Sequence, residues 1–391
     1  MAYTFEEVLE RSANAFYVFD VCELKNRIEY ICSKMPKDVA LCYAVKANTF
    51  VVKEIVEQVE RFEICSPGEA EICTCLKVPS EKMVISGVYK NAAVMEQYIG
   101  GNDFDGIFTA ESVEQFRLLS GLSKQYRKRI KLLLRLTNDS QFGMDESDIE
   151  KIIRERQQQE YVDILGIQYF SGTQKSSVKK YKREITYLDQ FLQKLKQEYG
   201  YEAKELEYGT GFPVSYFESD KDEEVEIFDS FAQMLGEMVS PVRITLEIGR
   251  SMVASCGKYY THIVDIKSSK QQNYVLIDGG MHQLTYFGQY MAMKKPILSV
   301  CGKETTEENP EWVICGSLCT MNDIVAKQVK LPKIEVGDVM CFERTGAYCM
   351  TEGISLFLSR DLPAIYLKKD ESQYICVRES YETRNLNMPS Y

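Results

Sequence analysis

A lysine ends an otherwise apolar run near the start of the chain. In the stretch LCYAVKANTF, residues 41–50, Lys46 follows Tyr43 and Val45 in what predicts a buried strand. Lysine is rarely fully buried unless it is paired or reacts. A lysine amine can form a Schiff base with an aldehyde, so this position favours a covalent role. A side chain that reaches solvent from the strand edge is the structural alternative.

Other segments place reactive or polar groups after predicted strands. In LEYGTGFP, Gly209 and Gly211 would let backbone N–H groups approach a phosphate, although a simple tight turn has the same pattern. In TLEIGRSM, Glu247 and Arg250 flank a glycine, which places an anion and a cation able to bind phosphate at the end of a predicted strand. The structural alternative is an ordinary ion pair between the two side chains. In RTGAYCMT, the phenol of Tyr348 follows a turn glycine and could donate a hydrogen bond. In CGSLCTMND, Cys319 and Asp323 follow another turn glycine.

A lysine, a glycine-lined anion site and a carboxylate are the groups that pyridoxal 5'-phosphate (PLP) requires. The amine forms the Schiff base, and backbone N–H groups hold the phosphate. An acid keeps the ring nitrogen protonated, so that the ring accepts an electron pair. The sequence therefore predicts a PLP enzyme.

Eight short apolar runs alternate with amphipathic ones over the first two thirds of the chain. The predicted strands are Val39–Val45, Phe62–Cys65, Met83–Ser86, Gly106–Thr109, Ile130–Leu136, Ile164–Phe170, Leu206–Tyr208 and Ile244–Leu246. The clearest helix, KREITYLDQFLQKLKQEYG, has apolar residues at helical spacing and a stop signal in Gly200. This order predicts an α/β fold with a (β/α)₈ TIM-like barrel, whose chemistry gathers at the C-terminal ends of the strands.

The pattern changes after about residue 254. Strand-like segments with polar or glycine-rich breaks follow one another, and long helices are few. These segments are YYTHIVDIKSS, NYVLIDGG, EWVICG, GDVMCFER, PAIYLKK and QYICVRES. We expect a PLP-binding barrel over residues 25–253 and a β-rich domain of residues 1–24 and 254–391 that carries Cys319 and Tyr348.

Composition argues against several classes of protein. The net charge of −11 disfavours nucleic acid and anionic membrane surfaces as partners. No apolar run of about 18 residues and no signal-like start appear, so we expect a cytoplasmic protein. Thirteen cysteines and two histidines without a C-x-x-C pair predict reduced thiols and no metal site.

The motifs also occur in the order of a known family. YAVKAN, EICSPGE, GTGF, EIGR and GAY resemble those of the fold type III PLP decarboxylases, the superfamily of ornithine and diaminopimelate decarboxylases. The resemblance covers nearly the whole chain and implies an alanine racemase-like fold, a barrel followed by a mostly β domain. It further implies a PLP-dependent decarboxylase that forms a homodimer with shared active sites.

The resemblance implies roles for individual residues. Lys46 would bind the cofactor covalently, and Glu247 would pair with its ring nitrogen. Cys319 of the partner subunit would protonate the carbanion left after CO₂ departs. The other cofactor-binding residues that it implies are Glu63, Ser66, Arg135, Phe170, Gly209, Thr210, Gly211, Gly249, Arg250 and Tyr348.

The chain departs from the family pattern where the far end of a substrate would be recognised. In GIQYFSGTQ, Phe170 replaces the histidine that stacks on the ring, and a phenyl ring stacks without donating a hydrogen bond. Thr320 replaces an acid in CTMND, and Tyr286 stands where diaminopimelate decarboxylases have an arginine. The predicted substrate-binding residues are Thr320, Asp323, Tyr286 and His282.

These neutral positions resemble a narrower branch, the decarboxylases of L-glutamate thioesterified to an acyl carrier protein. A pantetheine thioester needs a neutral channel, and the same lining suits a free apolar amino acid or a siderophore intermediate such as citrate-conjugated diaminopropionate. An amino-acid racemase, with Lys46 and Cys319 on opposite faces of the ring, is an alternative from another class. A non-catalytic PLP-binding regulator is a further alternative, although it need not retain Lys46, Glu247, Arg250, Cys319 and Tyr348 together.

Overall fold

The computed structural model describes residues 2–101 and 103–390. The strands, in chain order, are β1 (Ala2–Tyr3), β2 (Phe16–Asp20), β3 (Ala40–Ala44), β4 (Arg61–Ile64), β5 (Met83–Ile85), β6 (Ile107–Ala110), β7 (Ile130–Leu136), β8 (Val162–Phe170), β9 (Glu205–Gly209), β10 (Arg243–Ile248), β11 (Gly257–Ser269), β12 (Gln272–Ile277), β13 (Leu298–Val300), β14 (Glu311–Cys315), β15 (Ile324–Lys330), β16 (Val339–Glu343), β17 (Ala364–Asp370) and β18 (Gln373–Arg378).

Helices occur mainly in the first two thirds of the chain. The α-helices are α1 (Phe5–Arg11), α2 (Val21–Lys34), α3 (Pro67–Cys75), α4 (Ala92–Gly100), α5 (Val113–Tyr126), α6 (Glu146–Arg154), α7 (Val178–Tyr199), α8 (Glu224–Gly236), α9 (Arg250–Val253) and α10 (Arg384–Asn387). Short 3₁₀ turns cover Val45–Ala47, Thr49–Ile55, Ser80–Lys82, Arg156–Gln158 and Phe357–Ser359. None of the helices formed by the described residues has both the length and the apolar character that a bilayer span requires.

The described chain divides into two compact units. The barrel unit comprises Ile28–Pro213 and Glu223–Gly249. The β-rich unit comprises the described residues up to Arg27, the segment Val214–Asp222, and the described residues from Arg250 onward. The short return to the β-rich unit at Val214–Asp222 has no counterpart in the sequence prediction, and the predicted domain bounds stay a prediction.

Eight parallel strands, β3 to β10, close into a barrel in which β10 pairs with β3. All eight predicted strands are present within a few residues of their predicted bounds, which confirms the barrel. Every residue of β4, β5 and β6 is buried, as expected for parallel strands covered on both faces. The predicted helix is α7, and it ends at Gly200, whose φ of 59° is the left-handed conformation of a helix C-cap.

The interior of the barrel carries charged side chains. Arg61 on β4 forms an ion pair with Glu205 on β9, which also accepts a hydrogen bond of 2.7 Å from the Thr245 hydroxyl. Because β4 and β9 are not neighbours in the barrel, this pair lies across its interior. Side chains two positions along a strand share a face. The same interior, nearer the C-terminal strand ends, therefore receives Glu63, Glu207 and Glu247.

A ten-stranded sheet forms the β-rich unit. Its main path runs β1, β18, β17, β2, β11, β12, β14, β15, and β16 pairs with β11 and β13. All six predicted strand segments of the C-terminal part are present, whereas β1, β2, β13 and β15 were not predicted. The buried strand β2 pairs parallel with β17 and antiparallel with β11, so the N-terminal segment completes this sheet. The predicted class, an α/β barrel with a mostly β second domain, is confirmed.

Candidate active site

Lys46 lies just beyond β3, at the C-terminal mouth of the barrel. The strand ends at Ala44, and a 3₁₀ turn over Val45–Ala47 follows. Asn48 then starts the next turn, because its side chain accepts a hydrogen bond of 3.0 Å from the Phe50 N–H. Val45 and Ala47 are buried, whereas the Lys46 side chain is 37% exposed. The backbone is therefore fixed while the amine stays within reach of a small molecule.

Two buried carboxylates hold the Lys46 amine. Its Nζ lies 2.7 Å from Glu63 Oε2 and 3.2 Å from Glu247 Oε1. Glu63 belongs to β4 and Glu247 to β10, the two strands that flank β3 in the barrel. The strand order alone therefore brings one amine and two carboxylates to the same place.

The two carboxylates have opposite pKa shifts. Burial would raise the pKa of Glu63, but the charge of Lys46 and its hydrogen bond outweigh burial and hold that pKa below its ordinary value. Burial, reinforced by the negative charge of Glu63, raises the pKa of Glu247. Glu63 is therefore the anion that pairs with Lys46, and Glu247 is the carboxyl that binds a proton more readily. Two neighbouring carboxyls with separated pKa values are typical of acid–base sites.

Cys65, which the sequence analysis did not single out, completes this cluster. Its thiol donates a hydrogen bond of 3.1 Å to Glu63 Oε1 and accepts one of 3.6 Å from Lys46 Nζ. Burial and the charge of Glu63 raise the pKa of the Cys65 thiol far above its ordinary value. Cys65 is therefore a protonated donor to Glu63 rather than a nucleophile.

Arg135 on β7 pairs with a carboxylate that was also missed. Its Nη1 lies 2.9 Å from Glu111 Oε2, and its guanidinium stacks 5.0 Å from the centre of the Phe142 ring. A second missed residue is the buried Lys90, whose Nζ donates a hydrogen bond of 2.9 Å to the Gly87 carbonyl. Burial lowers the pKa of Lys90 to about 8. Glu111 directly follows β6 and Lys90 follows β5, so the strand-end rule that predicts Lys46 could have found both.

The glycine segment after β9 packs tightly against the end of β8. A Cβ at Gly209 would lie 2.2 Å from the Phe170 ring, and one at Gly211 would lie 2.0 Å from the Gly172 carbonyl. Gly211 also has a φ of +57°. Both positions therefore require glycine. The Thr210 N–H between them donates 3.2 Å to the Glu247 carbonyl, which joins this segment to β10.

The barrel unit thus brings together most of the predicted cofactor residues. The strand ends place side by side Lys46, Glu63, Glu247, Phe170, Gly209, Thr210 and Gly211. The charge of Arg135 acts on the Glu247 carboxyl and lowers its pKa, against the larger effect of burial. Ser66 is exposed and caps α3, where its hydroxyl accepts 3.2 Å from the Glu69 N–H. Gly249 is the last residue of the barrel unit.

In the β-rich unit, Arg250 and Tyr348 contact each other. The Arg250 guanidinium is buried, donates 3.0 Å to the Tyr216 hydroxyl, and lies 4.6 Å from the centres of the Phe287 and Tyr348 rings. Tyr348 has a φ of +63°, a conformation that is uncommon for a tyrosine. Arg250 and Tyr348 therefore lie side by side, and the contact of both with a phosphate stays a prediction.

The cysteine motif forms a turn that Asp323 organises. Cys319 is exposed, and the Thr320 hydroxyl accepts 3.3 Å from the Asn322 N–H. Both oxygens of the buried Asp323 carboxylate accept backbone hydrogen bonds of 2.8 Å, from Met281 and Leu318. Asp323 therefore joins this turn to the segment around Met281, and its predicted contact with substrate stays a prediction.

Tyr286 and His282 are both buried in the β-rich unit. The Tyr286 hydroxyl donates 2.7 Å to the Glu343 carbonyl. His282 is 1% exposed, and neither ring nitrogen has a hydrogen-bond partner among the described residues. Burial, together with the charge of Arg360, lowers the pKa of His282 to about 4. His282 is therefore a neutral imidazole, and the substrate roles of both residues stay predictions.

Comparison with known proteins identifies the family. The family model described as "Pyridoxal-dependent decarboxylase, pyridoxal binding domain" matches residues 21–254, more than half of the chain. The chain belongs to the pyridoxal-dependent decarboxylase family. This confirms the predictions of a fold type III PLP enzyme, of PLP as cofactor, and of the carboxy-lyase class.

Individual relatives are similar over nearly their whole length. L-glutamyl-[BtrI acyl-carrier protein] decarboxylase of Niallia circulans is 24% identical, covering 95% of this chain and 92% of the relative. A second relative is 2-[(L-alanin-3-ylcarbamoyl)methyl]-2-hydroxybutanedioate decarboxylase of Staphylococcus aureus. It is 24% identical, covering 91% of this chain and 95% of the relative. The crystal structure of diaminopimelate decarboxylase from Methanocaldococcus jannaschii in complex with L-lysine matches with a TM-score of 0.85 at 23% identity, covering 97% of this chain and 92% of that chain. That match shows a shared fold.

Proposed function

We propose that this chain decarboxylates an α-amino acid or aminoacyl substrate, with PLP bound at the C-terminal mouth of the barrel through Lys46. The observation that carries the proposal is the partly exposed Lys46 side chain, whose Nζ lies between Glu63 and Glu247 at 2.7 Å and 3.2 Å. Membership of the pyridoxal-dependent decarboxylase family supports the reaction class.

The residues at the mouth of the barrel fit PLP chemically. A reachable amine suits the aldehyde of PLP, and a buried carboxyl with a raised pKa suits its ring nitrogen. The Phe170 ring at the end of β8 offers an apolar face beside the glycine segment. The glycine segment itself is the proposed binding place of the phosphate, through backbone N–H groups.

When bound, PLP withdraws the electron pair of the bond that breaks at the substrate Cα. Lys46 would hold the cofactor through its amine. Glu63 stabilises the positive charge at Lys46 Nζ, and Glu247 would pair with the ring nitrogen and hold its proton there. Phe170 excludes water from one face of the site, which disfavours a charged carboxylate there and favours its departure as CO₂.

Cys319 is the proposed donor of the proton that replaces CO₂, supplied by the partner subunit of a homodimer. Its thiol is exposed in the described chain, as a group that serves another subunit must be. K46A and C319A are each expected to lack activity, and mixing the two variants so that their subunits exchange should restore CO₂ release. If mixed dimers form and stay inactive, the shared site is wrong.

The proposed substrate has no charge at its far end, and a carrier-protein aminoacyl thioester fits best. The neutral residues Thr320 and Tyr286 support this, as does the similarity to the Niallia circulans enzyme. The test is CO₂ release from a panel of L-glutamyl pantetheine thioester, free amino acids and a citrate-conjugated diaminopropionate. We expect the highest kcat/KM for the thioester, whereas release from free L-glutamate alone would contradict it.

A second readout of the same panel separates the other classes. A decarboxylase releases CO₂ and an amine, a racemase inverts the substrate without releasing CO₂, and a regulator does neither. We expect CO₂ and amine in equal amounts. Inversion without CO₂ release would overturn the proposal in favour of the racemase.

A further inference from the structure

A buried charged cluster lies behind the glycine segment, on the outer side of the barrel. We call it the lysine cluster, and its members are Lys175, Glu184, Tyr208 and Ser171. Lys175 is 4% exposed, and its Nζ donates to Tyr208 Oη at 2.9 Å, Glu184 Oε2 at 3.0 Å and Ser171 Oγ at 3.1 Å. The Tyr208 hydroxyl in turn donates 2.5 Å to Glu184 Oε2. The lysine cluster therefore joins α7 to the ends of β8 and β9.

Lys175 also contacts both glycines of the segment. Its backbone N–H donates 2.8 Å to the Gly211 carbonyl, and its Nζ lies 3.4 Å from the Gly209 carbonyl oxygen. A Cβ at Gly211 would meet Lys175 Cε at 3.0 Å. The positive end of the Lys175–Glu184 pair thus lies against the glycine segment, with the negative end towards α7.

Packing of α7 on the barrel does not by itself require these charges. Taking an ammonium and a carboxylate out of water costs several kcal/mol per ion, and an apolar pair of similar size often holds a fold equally well. A buried pair is useful where its charge acts on something nearby. The group next to Lys175 is the glycine segment, where the proposed function places the phosphate of PLP.

We infer that Lys175 is a positioning residue for the cofactor phosphate. It fixes the conformation of the Gly209–Gly211 segment through its backbone hydrogen bond to the Gly211 carbonyl. Its ammonium, 3.4 Å from the Gly209 carbonyl oxygen, places a positive charge directly behind that segment. A phosphate dianion on the other side is then stabilised by N–H groups held in place and by this charge. The inference rests on the proposed function, because PLP is the occupant that it requires.

The charge of Lys175 depends on pH. Burial lowers the pKa of Lys175 to about 8, although Glu184 opposes this, and Lys180 on α7 lowers it further. The tyrosines that face Lys175, Tyr181 on α7 and Tyr208 on β9, stay neutral because burial raises their pKa values. As pH rises through about 8, Lys175 therefore loses its proton and Glu184 stays anionic.

The test compares PLP with pyridoxal, which has the same ring and aldehyde but no phosphate. Both are titrated by absorbance into purified protein stripped of its cofactor. The dissociation constant of pyridoxal divided by that of PLP measures recognition of the phosphate alone, and a larger ratio means stronger recognition. K175M is expected to lower the wild-type ratio about tenfold at neutral pH, because it removes the positive charge that acts on the phosphate from behind the segment. K175R should keep the ratio, and so should K180M, the matched control whose lysine contacts Glu184 at 3.9 Å.

The pH profile separates charge from simple structure. The wild-type ratio should fall as pH passes about 8, the pKa of Lys175, whereas the K175R ratio should stay constant. A K175M ratio equal to wild type, or a wild-type ratio that is constant with pH, overturns the inference. If K175M fails to fold because Glu184 is left unpaired, K175M/E184Q removes both charges and is expected to show the same loss. A wild-type protein that does not prefer PLP over pyridoxal would instead refute the proposed function.

Discussion

Replacing Glu247 with glutamine removes the proton-binding carboxyl beside Lys46 and keeps the size of the side chain. Glu247 is 7% exposed, and burial, followed by the charge of Glu63, raises its pKa to about 7 from 4.5. The folded chain therefore binds a proton at Glu247 more tightly than the unfolded chain does. For such a group, the free energy of unfolding falls as pH rises through the interval between the two pKa values.

The size of the effect follows from the shift. One pH unit of difference in pKa corresponds to about 1.4 kcal/mol. Wild-type apoprotein is therefore expected to lose on the order of 3 kcal/mol of stability between pH 4.5 and pH 7 through this group, from the values of 4.5 and about 7. E247Q should lack this loss, because glutamine does not titrate. Lys46 keeps its ion pair with Glu63 at 2.7 Å, so the variant leaves the amine paired with an anion.

The assay is urea unfolding of the apoproteins across this pH range, followed by far-UV circular dichroism. The free energy of unfolding of E247Q minus that of wild type is expected to grow as pH rises to about 7 and to level off only above it, so the pH series continues past 7. E57Q, a change at an exposed position of the same unit, should follow wild type within about 0.5 kcal/mol at every pH. An advantage that is constant with pH would refute the raised pKa, and one that shrinks would show that Glu247 is stabilised as an anion.

Three other substitutions test other parts of the account. G211A places a methyl group 2.0 Å from the Gly172 carbonyl and should destabilise the fold by about 1–3 kcal/mol; calorimetry showing an unchanged melting temperature would contradict this packing. E111Q removes the charged partner of Arg135, whose side chain is 12% exposed, so urea unfolding should show a loss of about 3 kcal/mol, and a loss below about 1 kcal/mol would argue against the pair. D323N removes one backbone acceptor and should cost about 1–3 kcal/mol in the same assay, whereas an unchanged midpoint would disprove that anchoring role.

The barrel could be predicted because its strands have a strong local signal. Each is a short apolar run that ends in polar residues, and the alternation with helices allows few topologies. The rule that chemistry gathers at strand ends then located Lys46 and Glu247, whereas Arg135 followed only from the resemblance to the family. The β-rich unit was harder to predict, since β15 (IVAKQVK) interleaves lysines with apolar residues and β2 (FYVFD) is far in sequence from its sheet neighbours.

Of the residues that were missed, Glu111 and Lys90 follow strands and were within reach of the strand-end rule, whereas Lys175 and Cys65 depend on contacts between distant segments. Lys175 stands in the polar stretch TQKSSVKK and looks like a surface lysine, and its burial against Glu184 appears only when α7 packs on β9. Cys65 resembles the other small buried cysteines until the strand order brings it to Lys46. Substrate choice, the dimer and a cytoplasmic location stay predictions, because they depend on partners and surroundings outside a single chain.

Reduction of the PLP-loaded protein with borohydride, followed by peptide mass mapping, tests the role of Lys46 most directly. The reagent fixes the cofactor to whichever lysine carries it. We expect the mass of reduced PLP on the peptide that contains Lys46, and neither this label nor a yellow colour in K46A. Label on one of the buried lysines, Lys90 or Lys175, or a reducible chromophore that persists in K46A, would contradict the account.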